Sequence, residues 1–428
     1  MSQLRRTTQI TQKDIGEYKM DRQNNTIKAP TKTRLPKLAH IDQLIVDGQP
    51  HFGVFAVVER INYLDYHSHL ISQKAVSQRR KQFKANQFAF VQIVQPPYRI
   101  CMAIATIKLA STVFAYIYNE HTGEFEVVEA LQPLTHNSEF SGDHRQGRMS
   151  LKQGKLSLVL QFSESGVQLD LVSKQFAVSA QLGRSDQPLA VCSPSGRRGW
   201  SFTQKEPLTV IGGTLTFFAD SKHYPKLADT DSDNKADNKV DNKLSGDKAQ
   251  TGLSHSLPLK PHALVNLDWT LGFMRHETNW FWSCITTELP DGRTFMLNLS
   301  MGVNETGVSE NACWIDGQIY YLPPVLFSRQ SDLTGGKQPK CGTSPDEPRA
   351  CAWQVSHLNL GWSDVEIELS FTPISVYKKM DNYGVIASVF EQWIGTYCGH
   401  IKLSAAQGGH VVALDNVMGL AEDHFAKW

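Results

Sequence analysis

Long apolar runs and a surplus of charge of one sign are both missing from this 428-residue chain. No segment approaches the roughly 18 consecutive apolar residues of a membrane-spanning helix, and residues 1–20 lack the apolar core of a signal peptide. The 43 Lys and Arg residues nearly balance 42 Asp and Glu residues, for a net charge of +1. We therefore expect a cytoplasmic protein with no transmembrane segment and no nucleic-acid partner.

Cysteine is sparse and its spacing suggests neither a disulfide framework nor a zinc site. The seven cysteines are an odd number, scattered and mostly within apolar runs, which is typical of reduced cytoplasmic thiols. Cys341 and Cys351 share a loop but lack the spacing of zinc ligands. His67 and His69 would share one face of a strand, without a third ligand nearby. We expect no metal and no other cofactor.

The common catalytic motifs are absent as well. The sequence contains no G-x-S-x-G, no H-E-x-x-H, no P-loop and no Rossmann glycine pattern. Ser375 to Lys378 matches S-x-x-K by letters, but so short a pattern occurs easily by chance. No motif therefore names a reaction, and the sequence indicates no oligomeric state.

Three polar stretches divide the chain. Residues 1–34 are polar and aperiodic, which predicts a disordered tail. Residues 229–256 contain DNK units that repeat every four residues with no apolar face, which predicts a disordered insertion in a loop. Residues 330–349 are rich in Gly, Pro and Lys and predict a flexible loop. Between them we expect an N-terminal β half at 35–200 and a C-terminal β half at 201–428.

Short strand-like runs separated by turn signals fill both halves. In residues 155–162, KLSLVLQF, leucines alternate with other residues as in a strand buried on one face. Asp316-Gly317 is a strong hairpin signal, and only residues 69–87 have a helical pattern. We predict a mostly β, antiparallel fold with one short helix, arranged as two lipocalin-like or calycin-like barrels or as one large double barrel.

The stretch from Asn266 to Ser283, NLDWTLGFMRHETNWFWS, combines aromatic rings with ionisable groups. A turn is predicted near Arg275 and His276, which divides the stretch into two strands. Trp side chains suit a cavity wall because each buries a large area and has one N–H that needs a hydrogen-bond acceptor. An ordinary hydrophobic core between two sheets explains these rings equally well. If the stretch is extended, one face carries Asp268, Thr270, Gly272, Met274, His276, Thr278, Trp280 and Trp282.

Several segments together resemble the family known as domain of unknown function 2804, over roughly residues 37–428. The segments are Phe202-Thr203-Gln204-Lys205, Asp268-Trp269-Thr270 with Gly272, Asn279-Trp280-Phe281-Trp282, Asp291-Gly292-Arg293, Asn298-Leu299, Ser309-Glu310-Asn311 and Gly419-Leu420-Ala421-Glu422. The family has no established activity. It is distantly similar to the calycin-like group of lipocalins, carotenoid hydratases and tocopherol cyclase, which implies an apolar ligand inside a β-barrel.

Candidate site residues come from these segments. A carboxyl group in an apolar pocket has a raised pKa and can act as a general acid, and a lysine inside a barrel could bind a carboxylate or form a Schiff base. The catalytic candidates are Glu310, Asp268 and Lys205. Glu391, His400, Glu422 and His424 are further ionisable residues in apolar surroundings. The ligand-binding candidates are Trp269, His276, Trp280, Trp282, Asn298 and Asn311.

Three functions remain open. The first is a protein that binds a hydrophobic small molecule, a lipid or an isoprenoid, in a β-barrel cavity. The second is a hydratase, isomerase or cyclase that uses a buried carboxyl group as its acid. The third is a protein-interaction module with filled barrels. A cavity would argue against the third, and a perturbed carboxyl group inside that cavity would favour the second over the first.

Overall fold

A computed structural model describes residues 38–67, 76–196, 198–225, 254–303, 309–329, 353–359, 361, 363–384 and 386–427. Within these ranges the chain forms two large sheets and one small hairpin. Almost every strand pair is antiparallel, and β1 with β4 (Ala39–Gln43 and Gly53–Arg60) is a parallel pair. No helix in the described ranges is long and apolar enough to span a membrane.

The first sheet contains strands from the N-terminal two thirds of the chain. Its central path runs in the order β8-β7-β6-β5-β17-β15-β13-β12-β11-β10-β9, and β14 joins β15 to β4 while β16 pairs with β15. The remaining bounds are β2 (Ile45–Val46) and β3 (Gln49–Pro50), which form the small hairpin, then β5 (Asn86–Gln95), β6 (Tyr98–Thr106), β7 (Ala110–Asn119), β8 (Phe125–Pro133), β9 (Ser138–Phe140), β10 (Gly147–Gln153), β11 (Leu156–Phe162), β12 (Gly166–Val172), β13 (Phe176–Gly183), β14 (Leu189–Ser195), β15 (Gly199–Phe218), β16 (Ser254–Pro258) and β17 (Leu264–Phe273).

The second sheet follows directly along the chain. Its strand order is β21-β20-β19-β18-β26-β25-β24-β23-β22. The bounds are β18 (Glu277–Glu288), β19 (Thr294–Met301), β20 (Ala312–Ile315), β21 (Gln318–Tyr321), β22 (Val325–Arg329), β23 (Trp353–His357), β24 (Glu366–Asn382), β25 (Ala387–Lys402) and β26 (Val411–Lys427). Both sheets are strongly curled half-barrels. The curl brings β22 against β19 in the second sheet and β10 against β6 and β7 in the first.

Local signals in the sequence account for several elements. Asp316 and Gly317 both have positive φ, 49° and 77°, as the tight turn between β20 and β21 requires. The helix α1 (Gln78–Lys84) begins after Ser77, whose Oγ accepts a hydrogen bond of 3.4 Å from the Arg80 backbone N–H. Strand β11 alternates between buried leucines and partly exposed residues. The predicted hairpin and the predicted strand are confirmed, and a helix is confirmed at 78–84 within the predicted range 69–87. Asn86 and Gln87 belong to β5 instead, and residues 69–75 lie outside the described residues. Two short 3-10 turns complete the helical content of the described residues, at Tyr63–Asp65 and Ala405–Gln407.

Side chains of each half-barrel divide between an inner and an outer face. The inner faces pack into two separate clusters, with Leu267 and Trp269 in the first sheet and Ile285 and Phe371 in the second. Outer faces of β5, β6 and β7 meet β18, β24, β25 and β26 of the second sheet. The residues buried between the two sheets are Phe90, Cys101, Ala103, Phe114, Tyr116, Tyr118, Trp282, Cys284, Tyr377, Phe390, Ile394 and Leu420.

The antiparallel β fold with one short helix predicted from the sequence is confirmed. The predicted halves at 35–200 and 201–428 do not coincide with the sheets, because the chain leaves the first sheet after Phe273 and enters the second at Glu277. The predicted tail at 1–34, the loop at 330–349 and residues 229–253 of the insertion lie outside the described residues. Residues 254–256, at the end of that insertion, belong to β16 and pair with β15.

Candidate functional site

A cavity of about 160 Å³ lies between the two half-barrels. Its walls come from β5, β6, β7, β15 and β17 of the first sheet and from β18, β19, β25 and β26 of the second. The cavity therefore lies at the junction of the two sheets, and not inside one β-barrel as the family resemblance implies. The lining residues are Asn86, Gln87, Phe88, Phe90, Ala105, Thr106, Ile107, Phe114, Ser201, Thr203, Lys205, Asp268, Thr270, Met274, Thr278, Trp280, Trp282, Ser300, Val303, Glu310, Phe390, Gln392, Glu422 and His424.

Strand alternation explains why β17 and β18 both contribute to this wall. Asp268 and Thr270 project from β17 into the cavity, while Leu267, Trp269 and Leu271 project into the core of the first half-barrel. The chain then turns, and β18 directs Thr278, Trp280 and Trp282 into the same space. The two strands belong to different sheets, so the cavity lies where the two sheets meet.

A buried lysine joins two carboxylates at one end of the cavity. Lys205 Nζ donates a hydrogen bond to Asp268 Oδ2 and lies 3.2 Å from Glu310 Oε2. The three side chains are 4%, 13% and 5% exposed, so water screens this cluster little. Burial lowers the pKa of Lys205, but the two neighbouring carboxylates raise it by more. The pKa of Lys205 therefore lies above its ordinary value. The lysine is therefore a fixed cation.

Hydroxyl groups of neighbouring strands hold the two carboxylates in place. Thr203 Oγ1 donates to Asp268 Oδ1 at 3.2 Å, and Thr270 Oγ1 donates to Thr203 Oγ1 at 3.0 Å. Ser300 Oγ donates to Glu310 Oε1 at 3.0 Å. Lys205 is directly paired with Asp268 in the β15–β17 register, so backbone pairing already brings the ion pair together. Lys205 and Asp268 are thus fixed by strand pairing, while Glu310 lies in the connection just before β20 and is held by its contacts with Lys205 and Ser300.

Glu422 is a third carboxyl group in the same cavity, and it has no lysine partner of its own. Its Oε1 accepts a hydrogen bond of 2.9 Å from Trp280 Nε1, and its Oε2 accepts one of 2.9 Å from Gln392 Nε2. Burial raises the pKa of Glu422 to about 7, and the nearby Asp268 carboxylate adds to that rise, although the two hydrogen bonds oppose it. Near neutral pH this side chain is thus present in both its acid and its base form.

His424 completes this part of the wall. Its ring lies 4.1 Å from the ring of Trp280 and 4.9 Å from that of Phe390, measured between centroids. Its Nε2 is 2.9 Å from Ser388 Oγ. Burial lowers the pKa of His424 to about 3, so the imidazole is neutral at physiological pH. It contributes an aromatic surface and no positive charge.

A second chamber, also about 160 Å³, adjoins the first. Both chambers are lined by Phe88, Ala105, Thr106, Ile107, Phe114, Phe390 and His424. The second chamber continues past Leu131 and Tyr377 towards Lys379, Asp381 and Tyr383. Tyr383 is 58% exposed, so this end reaches the protein surface. The space is therefore elongated, with the Lys205 cluster at one end, an apolar middle and an open rim that includes Lys379 and Asp381.

Comparison with known families identifies the C-terminal part of the chain. Residues 244–428 match the family model described as Domain of unknown function (DUF2804). We refer to this matched range as the DUF2804 domain. The resemblance predicted from the sequence is confirmed over this range, which contains Asp268, Trp280, Glu310 and Glu422. Lys205 comes before the matched range, so the cavity combines the DUF2804 domain with the preceding part of the chain.

Solved structures to which this chain shows similarity include CghA, 10% identical with a TM-score of 0.38, covering 91% of this chain and 98% of that one. CghA with Sch210972 is 9% identical with a TM-score of 0.36, covering 80% and 88%. Kievitone hydratase from Nectria haematococca is 10% identical with a TM-score of 0.37, covering 80% and 88%. Comparison with curated proteins gives no match.

The structure brings five of the sequence-predicted residues together in this cavity: Asp268, Glu310 and Lys205, the catalytic candidates, and Trp280 and Trp282. Trp269 is a correction. It faces the interior of the first half-barrel, 6.3 Å from Phe202 between ring centroids, because it is adjacent to Asp268 in an alternating strand. His276 is a second correction, since it lies exposed in the turn between β17 and β18 of the DUF2804 domain.

Asn298 and Asn311 stand behind the cavity wall and do not line it. Asn298 Oδ1 accepts a hydrogen bond of 2.7 Å from Trp282 Nε1, and Asn298 Nδ2 donates to the Glu310 carbonyl oxygen at 2.8 Å. Asn311 Oδ1 accepts from the Ser300 N–H at 2.7 Å. Both amides therefore position lining residues. Their predicted role as ligand contacts is corrected to a supporting role within the DUF2804 domain.

Other sequence candidates lie elsewhere. Glu391 pairs with Lys378, whose side chain is 52% exposed, at 2.5 Å, so the S-x-x-K match is on the surface. His400 is outside the cavity lining, and His69 lies outside the described residues. No group of three or more metal-ligating side chains occurs in the part of the chain that the structure describes.

Glu422 and Gln392 line the cavity but are not among the catalytic and ligand-binding candidates that the sequence predicts, and Glu422 is predicted only to be an ionisable group in apolar surroundings. The available signal was alternation: Leu420, Glu422 and His424 share a face of β26, and Leu420 is buried between the sheets. Gln392 had no comparable signal. Its Oε1 accepts a hydrogen bond of 2.6 Å from Tyr116 OH of the other sheet, a contact that depends entirely on tertiary structure.

Proposed function

We propose that the chain binds a small, mostly apolar molecule in the elongated space between its two half-barrels, in the cytoplasm. The observation that carries this proposal is a cavity with aromatic walls and a fixed cluster of charged groups at one end. Ligand sites of small molecules commonly combine an apolar lining with a few polar groups that fix orientation. A protein-interaction module with filled barrels has no use for such a space.

The aromatic walls supply the apolar contact. Phe90 and Trp282 meet edge to face with ring centroids 5.4 Å apart, and Phe114 lies 5.4 Å from Phe390 across the two sheets. Burying apolar ligand surface stabilises a complex by roughly 25 cal/mol for each Å² removed from water. An alkyl or isoprenoid chain placed along these rings would gain most of its binding free energy here.

We expect replacement of the two cavity tryptophans to weaken binding of geraniol, an uncharged isoprenoid alcohol. Trp280 and Trp282 are two of nine tryptophans, so geraniol should quench part of the intrinsic fluorescence of the wild type. The Trp280→Phe/Trp282→Phe variant should lose most of that quenching and bind roughly tenfold more weakly, because indole surface is lost from the wall. Fluorescence titration measures both quantities.

Trp269→Phe is the matched control for this titration. Trp269 projects to the opposite side of β17 from Asp268 and is 1% exposed in the core of the first half-barrel. Its Nε1 makes no hydrogen bond within the described residues, so phenylalanine removes no polar contact. Trp269→Phe should keep the affinity for geraniol. If the double variant keeps both full affinity and the same quenching as the wild type, the ligand does not occupy this cavity.

The second candidate function is proton transfer to the bound molecule. The observation that favours it is Glu422, a buried carboxyl group with a pKa of about 7 beside the rings of Trp280 and His424. A carboxylic acid in such surroundings can protonate an alkene carbon, and the aromatic rings stabilise the positive charge that develops. The carboxylate left on Glu422 keeps its hydrogen bonds from Trp280 and Gln392. This chemistry belongs to hydratases, isomerases and cyclases.

A further inference from the structure

We infer that the ligand of this cavity presents a hydrogen-bond donor, a hydroxyl or protonated amine, to the charged end, and that the cavity discriminates against carboxylates. The inference rests on the proposed binding function and deepens it by naming the polar group of the ligand. Two properties of the described lining carry it: the balance of charge, and the direction in which the polar hydrogens already point.

The charge balance at the Lys205 end of the cavity is negative. Lys205 is the one Lys or Arg among the described residues that line the first chamber, against the carboxyl groups of Asp268, Glu310 and Glu422. Lys205 is already shared by Asp268 and Glu310. Even with Glu422 fully protonated, one negative charge remains in excess. The further cations of the described lining, Lys379 and Lys427, are in the second chamber. They pair with carboxylates there, Lys379 with Glu129 and Asp381 and Lys427 with Glu277.

Most of the polar hydrogens around the charged cluster already donate to protein acceptors. The Thr203 and Ser300 hydroxyls donate to Asp268 and Glu310. The two indole N–H groups of the wall donate as well, that of Trp280 to Glu422 and that of Trp282 to Asn298. A ligand oxygen that can only accept hydrogen bonds therefore finds few donors here, namely the third N–H of Lys205 and the amide of Asn86, unless it displaces one of these contacts.

Acceptor capacity, in contrast, remains available. Each ionised carboxyl group has about four lone-pair sites, and the recorded hydrogen bonds occupy only part of them at Asp268, Glu310 and Glu422. A hydroxyl or ammonium group can donate into the remaining sites without disturbing the cluster. A carboxylate would instead meet like charge in a poorly hydrated space, which disfavours binding. Lys205 is thus a structural counterion and not an anchor for an acidic head group.

The test compares three probes with the same alkyl chain: 1-decanol, decylamine and decanoate. Each is titrated below its micelle concentration, at a pH where the amine is protonated and the carboxylate is ionised, with tryptophan fluorescence as the readout. We expect decanol and decylamine to bind at least about tenfold more tightly than decanoate. Equal or tighter binding of decanoate overturns the inference and leaves the proposed binding function standing. If none of the three probes binds, the proposed function fails and the inference fails with it.

Glu310→Gln provides an independent readout of the same charge balance. The substitution removes one negative charge while Asp268 still pairs with Lys205. We expect the ratio of decanoate affinity to decanol affinity to rise by roughly tenfold. Glu139→Gln is the control, since Glu139 is 61% exposed and pairs with Arg148 on the surface, and it should leave the ratio unchanged. An unchanged ratio in Glu310→Gln, with decanol still bound, contradicts the inference. Should that variant fail to fold, the ratio measured on the wild type decides.

Discussion

Lys205→Met should destabilise the protein by about 3–5 kcal/mol, the loss typical of breaking a buried ion pair. Methionine fills a similar volume but leaves Asp268 and Glu310 buried without a cation, at exposures of 13% and 5% for their side chains. An uncompensated buried carboxylate costs several kcal/mol or must take up a proton. Urea unfolding at neutral pH, compared with the wild type, measures the difference in free energy of unfolding.

Two control variants show whether the charge cluster is responsible. Lys378→Met removes a lysine whose side chain is 52% exposed and pairs with Glu391, and it should cost less than about 1 kcal/mol. The triple variant Lys205→Met/Asp268→Asn/Glu310→Gln removes all three charges and should regain most of the stability lost by Lys205→Met. A loss below about 1 kcal/mol in Lys205→Met would mean that water solvates the two carboxylates and that the cluster is not dry.

Glu422→Gln should lower deuterium incorporation from heavy water into geraniol by at least about 100-fold, the lower range of a general acid's contribution. Glutamine preserves the shape of the side chain but has no acidic proton. In the wild type the rate should fall as pH rises above about 7, where the pKa of Glu422 lies, because only the protonated form donates. Below that pH the rate should level off. Mass spectrometry of recovered geraniol gives the rates.

The binding titration separates loss of chemistry from loss of ligand. Glu422→Gln should still bind geraniol, since the aromatic walls are intact. Glu391→Gln is the matched control on the neighbouring strand, because Glu391 pairs with Lys378 and lies outside the cavity lining. Wild-type protein that binds geraniol without incorporating deuterium, or a Glu422→Gln variant as active as the wild type, would exclude proton transfer by Glu422 and leave the binding function in place.

Strand periodicity was the part of the fold that could be predicted from the sequence. Alternation in β11 and the Asp316-Gly317 turn are local properties, and local properties survive in any tertiary arrangement. The same rule placed Asp268, Trp280 and Trp282 on one face across the turn at Arg275. Alternation does not predict which other strand or sheet packs against each face of a strand. Strand β5 is buried almost throughout, on both faces, so its sequence holds no sign of the cavity beside it.

The boundary between the sheets shows a second limit. Strand β15 is 20 residues long and pairs with β13, β14, β16 and β17 in different registers. Strand β15 therefore belongs entirely to the first sheet, although the sequence predicts a boundary between the two β halves near residue 200, where this strand begins. The sequence also does not distinguish the roles of Glu310 and Glu422, because both occur in apolar surroundings. Only the positions of Lys205 and Gln392 make one a paired ion and the other a titrating acid.

The most direct test of ligand binding between the half-barrels is photochemical labelling with a decanol that carries a diazirine at the end of its alkyl chain. With the hydroxyl at the Glu310 end, the diazirine would lie in the second chamber, whose wall includes Phe114, Tyr377 and Phe390. Peptide mass spectrometry should find the label on β7 of one sheet and on β24 or β25 of the other, with unlabelled decanol competing. Label confined to the interior of either half-barrel, or to the outer surface without competition, would contradict binding between the sheets.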